Sequence, residues 1–208
     1  MRTNNFFIRI FLLAILIFGI VIANHNSTLA APIDLTEATG GFVISDPNYV
    51  IFGSDINEAT LLENDVSGLT WLSNDPFLGG PGIFVPANAS TLTFDLNFFT
   101  TGNDSFEVLL LDSLGGTPFF NFFHDGTIKG PGAYQYDNVP IDLISLNLLG
   151  TVVGLEFDLI SNFGDTTFDS VLNITNVSFN EDLNSVPVPS SLLLLGFGIL
   201  SLGLFVKK

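Results

Sequence analysis

The chain contains no cysteine. That excludes a disulfide-stapled scaffold and a tether through a lipid-modified cysteine, and an exported domain must then hold together by its core alone. Basic residues are almost as scarce, five against 21 acids in 208 residues. Arg2, Arg9, Lys207 and Lys208 sit at the two ends, so the stretch from Ala31 to Pro189 holds every acid and a single lysine, Lys129. Such a surface repels phosphate backbones and anionic head groups, which excludes nucleic acid as a partner of the central region. Histidine is limited to His25 and His124. With one internal histidine, no thiol and no recognisable serine motif, the parts of a nucleophilic site are missing, and the chain reads as a non-enzyme. His124 itself, in Phe122-Phe123-His124-Asp125-Gly126, reads as a strand end entering a turn.

What is present is organised in three parts. Residues 1–30 follow the order of a secretory signal: Arg2 and Arg9 around the start of an apolar run from Ile10 to Ala23, then Thr28-Leu29-Ala30-Ala31. Signal peptidase is expected to cut after Ala30, because a cut after Ala31 would leave Pro32 next to it. An uncleaved N-terminal anchor helix is the alternative. At the other end, Val186-Pro187-Val188-Pro189-Ser190-Ser191 leads into an apolar run that reaches Val206. As a helix, residues 190–206 span roughly 25 Å, the short limit for a bilayer core. Lys207 and Lys208 stop the helix on the cytoplasmic side, which puts both basic ends inside and the acidic region outside. Pro187 and Pro189 keep the preceding segment extended, where a processing enzyme could grip it as a strand.

This tail resembles the PEP-CTERM sorting signal of Gram-negative and related bacteria. The matching parts are the proline motif Val186-Pro187-Val188-Pro189-Ser190, the Leu- and Gly-rich span, and the basic pair Lys207-Lys208. Val188 stands where the family carries glutamate. The resemblance implies processing near the prolines by an exosortase-type enzyme. It implies a protein that is membrane-anchored before processing, then at the cell surface or extracellular, in an exopolysaccharide or biofilm setting. A permanently anchored single-pass protein is the rival reading of the tail.

Between linkers at 31–40 and 181–185, residues 41–180 read as strands. Leu92, Phe94, Leu96 and Phe98 alternate with Thr91, Thr93, Asp95 and Asn97; Val153, Leu155, Phe157 and Leu159 alternate with Gly154, Glu156 and Asp158; Phe106, Val108 and Leu110 flank Glu107. Period two with one polar face predicts half-buried strands, and Gly/Pro clusters such as 79–82 and 130–132 mark the turns between them. The expected fold is all-β, an antiparallel β-sandwich with a signal helix before it and a transmembrane helix after it. In the last strand Leu172 and Ile174 share one parity and Val177 and Phe179 the other, which predicts a bulge near Thr175-Asn176. Most of the 22 phenylalanines are expected in the core. The segment from Thr91 to Phe179, through Pro86-Ala87-Asn88-Ala89 just ahead of it, Leu92-Thr93-Phe94-Asp95-Leu96 and Asp169 to Val177, resembles the jelly-roll-type sandwich of PEP-CTERM proteins.

No cofactor is required by these residues. Calcium is the one ion to weigh, with Asn103-Asp104, Asp165 and Asp169 near strand ends, although no spaced Asp-x-Asp-x-Asp-Gly loop occurs. The Asn-x-Ser/Thr triplets at Asn88, Asn103, Asn173 and Asn176 read as strand and turn residues. The leading expectation is a non-enzymatic exported surface or matrix protein. The second is a carbohydrate-binding, lectin-like module, for which an exposed aromatic platform from Trp71, Tyr134 or Tyr136 would argue. The third is a glycan-active enzyme built on two facing carboxylates.

Overall fold

Alternation along the longest strands sets the architecture. In β7 (Ala89–Thr100), Leu92, Phe94, Leu96 and Phe98 are buried, while the residues between them face outward. In β11 (Val152–Ile160) and β8 (Ser105–Asp112), Val153, Leu155, Phe157, Leu159, Phe106, Val108 and Leu110 are buried in the same way. The computed structural model describes residues 30–114, 118–162 and 169–181, and these belong to one compact unit, Ala30–Glu181.

Two six-stranded antiparallel sheets stack face to face. The first runs β10 (Gly132–Asp142), β7, β12 (Val171–Glu181), β4 (Ala59–Leu62), β3 (Val50–Phe52), with β1 (Ala30–Pro32) also paired to β12. The second runs β2 (Val43–Ile44), β5 (Leu69–Ser73), β11, β8, β9 (Phe120–His124), with β6 (Ile83–Phe84) paired to β11. The β-sandwich expected from the alternation is therefore the fold. Phenylalanines from the two sheets meet edge to face between them: Phe94 with Phe157 at 5.9 Å and Phe98 with Phe106 at 5.1 Å between centroids.

The bulge expected in the last strand is present. Pairing of β12 with β7 shifts between Thr175 and Ser178, Asn176 takes φ 56°, and Leu172, Ile174, Val177 and Phe179 all reach the core. A second bulge lies across β7 in β10, between Tyr136 and Val139, with Asn138 at φ 50°. Asparagine is among the few side chains that tolerate this left-handed backbone. Asp95 holds both bulges: one carboxylate oxygen accepts from the Asn138 N–H at 2.6 Å and the other from Asn176 Nδ2 at 2.6 Å.

Two boundaries differ from the sequence reading. The segment 31–40 is not simply a linker: Ala30–Pro32 pairs with β12, and Ile33 and Leu35 are buried. Two isolated apolar residues beside Pro32 carry no periodicity, so only the tertiary contact reveals them as core. At the far end β12 includes Glu181, where the 181–185 linker was expected to begin. The expected signal helix, the proline motif from Val186 to Ser190, the helix at 190–206 and Lys207-Lys208 lie outside the described residues. Among the described residues no helix is long and apolar enough to cross a membrane.

Candidate functional site

The outward face of the second sheet gathers acids between aromatics. Cross-strand register places Trp71 on β5 beside Asp158 on β11, Asp158 beside Glu107 on β8, and Glu107 beside Phe123 on β9. The next row is Ser73, Glu156, Leu109 and Asn121. Four adjacent strands at about 4.8 Å spacing carry the first row across roughly 14 Å. Asp158 on the inner strand β11 is sunk, at 8% exposed, Trp71 and Glu107 are half-buried, and Phe123 on the edge strand stands out at 50%. The turn after β5 closes one side of the row. Gly154, on β11, makes that possible, because a Cβ there would come within 3.0 Å of the Asp75 backbone.

Burial and mutual repulsion dominate the electrostatics. Burial, reinforced by the neighbouring Glu156 and Glu107 charges, pushes the Asp158 carboxyl up to about 8. Burial likewise raises Glu156, with Asp75 and Glu107 adding to the effect against a hydrogen bond from Ser73. Among the described residues no cation acts on either carboxyl. Asp158 Oδ1 is buried and accepts no hydrogen bond. Glu107 accepts from Asn121 Nδ2 across the β8–β9 pair. The row therefore holds more acceptors than donors and shares a proton at neutral pH.

Two hollows open at the Ser67–Leu69 end of this face. One, of about 500 Å³, is bordered by Asp158, Ile160, Ser105, Asn103 and Thr127. The other, of about 510 Å³, is bordered by Trp71, Tyr49, Asp46, Asn48 and Asn64. Both combine apolar walls with hydroxyl, amide and carboxylate groups, the mixture that a polyhydroxylated ligand requires.

The outward face of the first sheet differs. Its polar side chains bond to one another: Thr60 Oγ1 donates to Asn173 Oδ1 at 2.8 Å, Asn180 Nδ2 donates to Thr91 and Thr93, and Asp95 ties the two bulges. Phe99 is exposed there beside a shallow depression of about 230 Å³ bordered by Asn97, Gln135 and Asn173.

The other candidate residues are placed as follows. Of the three aromatics proposed as a platform, only Trp71 faces outward. Tyr134 and Tyr136 lie against the core with Phe98, Phe106 and Phe122. His124 is buried among them, its Nδ1 2.7 Å from the Tyr136 hydroxyl, and burial lowers its pKa. A neutral histidine stacked on Phe106 at 5.1 Å is a core residue. Asp104 is fully buried and already accepts from Thr100, Ser170 and the Asn162 N–H, while Asp169 accepts from Thr101. Asn103 is exposed nearby and Asp165 lies outside the described residues. Asp104 and Asp169 are engaged by protein donors, and among the described residues no group of three or more His, Asp or Glu is arranged to hold a metal ion. Ala30 and Ala31, at the expected signal cleavage, form the first two residues of β1. The sequence reading missed Asp158, Glu107 and Phe123 as partners of Trp71. Their alternation marked them as an outward face, but nothing in the sequence orders the strands.

No family model and no curated protein matches the chain. Among solved structures, it is similar to the carbohydrate-binding module CBM28, specific for non-crystalline cellulose, at 12% identity over 74% of this chain and 97% of that one, TM-score 0.43. It is also similar to a family 61 carbohydrate-binding module in complex with beta-1,4-galactotriose, at 10% identity over 74% and 99%, TM-score 0.41. A sialidase matches at 11% identity over 75% of this chain but 19% of its own, TM-score 0.38. At these scores the likenesses decide nothing about the site, whose reading rests on the side chains described above.

Proposed function

We propose that the chain is an exported, non-enzymatic surface or matrix protein whose sandwich binds glycan through the outward face of the second sheet. The observation that carries this is the row Trp71–Asp158–Glu107–Phe123, with an aromatic at each end and two carboxyls between them. Aromatic faces stack on the C–H faces of sugars, and carboxylates accept from sugar hydroxyls, so the row offers both contacts that a glycan chain needs. Binding is favoured over hydrolysis because Glu156 and Asp158 lie two residues apart on one strand and point the same way, rather than flanking a bond from opposite sides. Export and sorting are supported by the N-terminal signal order and the proline–apolar–basic tail.

Affinity electrophoresis of the full chain in neutral detergent through gels containing neutral polysaccharides tests the binding reading. Retardation that disappears in the double variant Trp71→Ala, Phe123→Ala supports it; no retardation in any gel, or retardation unchanged in that variant, refutes it. Intact-mass measurement of protein from its native host tests the sorting reading. A species ending near Pro189 supports it, and a membrane-bound chain that retains Lys208 overturns it.

A further inference from the structure

The acid row holds a charge pattern that a neutral glycan leaves half answered. Asp158, Glu156 and Glu107 adjoin one another on two neighbouring strands, Asp75 acts on Glu156 from the turn, and among the described residues no cation acts on the Asp158 or Glu156 carboxyl. Asp158 is 8% exposed, its Oδ1 has no hydrogen-bond donor, and the residue borders the hollow of about 500 Å³. A sugar hydroxyl would supply the missing donor but leave the charge. An ammonium supplies three donors and a positive charge on one compact group, and so answers both. A uronate, sulfate or sialate would add a further anion and is repelled. An N-acetyl group removes the positive charge and two of the three donors.

We propose that this face selects glycans carrying free amino groups, oligomers of de-N-acetylated hexosamine, with an ammonium seated against Asp158 and the neighbouring ring stacked on Trp71. The proposal rests on the glycan-binding reading above and names its ligand class. Seating the ammonium favours the ionised form of Asp158, so binding releases a proton to the buffer. The titratable groups facing Asp158 are Glu156 on its own strand and Glu107 on β8, with Asp75 acting through Glu156.

The strongly acidic domain will attract any polycation weakly, and the test must separate that background from a seat. Calorimetry of the full chain in neutral detergent would compare a glucosamine oligomer, its N-acetylated counterpart and a cello-oligosaccharide, at near-physiological salt and in two buffers of different protonation enthalpy. The expected result is a preference of about tenfold or more for the glucosamine oligomer, with proton release. Asp158→Asn, which keeps the shape of the protonated acid, should abolish the preference for the glucosamine oligomer and the proton release. Asp137→Asn removes the same charge from the other sheet and should change affinity by less than about twofold. A preference that survives Asp158→Asn, or falls equally in Asp137→Asn, overturns the proposal. Equal binding of all three oligomers that is lost in Trp71→Ala overturns the amino-sugar seat and leaves the glycan-binding reading standing. No binding of any oligomer removes both.

Discussion

The outward faces of the two sheets come from the same alternation of apolar and polar residues, yet they treat their polar groups in opposite ways. On the first sheet, amides and hydroxyls bond along and across β4, β7, β10 and β12, and the one central acid, Asp95, spends both oxygens on the flanking bulges. On the second sheet, acids face acids, Asp158 Oδ1 stays without a donor, and the carboxyls respond by holding a proton. A polar face balanced in donors and acceptors is complete in itself. A face with surplus acceptors flanked by aromatics keeps hydrogen-bonding capacity that the protein does not use, and that is why the proposed glycan site is placed on the second sheet.

The largest effect expected is on binding. Trp71→Ala should weaken glycan affinity by about 2 kcal/mol, roughly thirtyfold, whereas Phe99→Ala on the first sheet should leave it unchanged, as titration calorimetry would show. If Phe99→Ala were the more damaging, the functional face would be the wrong one.

Next in size is the dependence of stability on pH. Asp158 has a folded-state pKa raised from 3.8 to about 8, so between these values the folded form binds more protons than the unfolded form. Its contribution to stability is therefore full below pH 4 and is lost as pH rises to about 8. Asp158→Asn should flatten that slope in denaturant titrations and stabilise the fold at pH 8 by about 1–3 kcal/mol. A steeper slope in the variant would contradict the assignment.

Asp95→Ala probes the other face. Loss of both bulge contacts should cost about 1–3 kcal/mol in urea unfolding without altering glycan affinity. The smallest effect is expected from Asn176→Gly, which keeps the left-handed backbone and should change stability by only about a few tenths of a kcal/mol beyond its lost bond to Asp95. Asn176→Val, forced to the same φ, should cost more.

Much of the sandwich was legible in the sequence, and the places where it was not share a cause. Strands β7, β8 and β11 declared themselves because each buries one complete face, which writes a period of two into the chain. The parity switch between Ile174 and Val177 announced the bulge for the same reason. Ile33 and Leu35 were missed because two buried residues make no period. Most of the described phenylalanines are in or against the core, as expected, but which ones are not was illegible: Phe77, Phe84, Phe99, Phe119 and Phe123 are exposed, because composition counts rings but does not aim them. Tyr134 and Tyr136 were offered as surface aromatics and turn inward, because β10 presents that parity to Phe98 and Phe106.

By itself the sequence determined the sign and placement of charge, the exclusion of thiol chemistry, and which side chains of β7, β8 and β11 face inward. These are local or summed properties, set residue by residue. Only the tertiary structure decided that β5 lies beside β11 and β11 beside β8. That order places Trp71, Asp158, Glu107 and Phe123 in one row, and through burial and repulsion it makes a proton-holding site of carboxylates that in the unfolded chain would be ordinary acids.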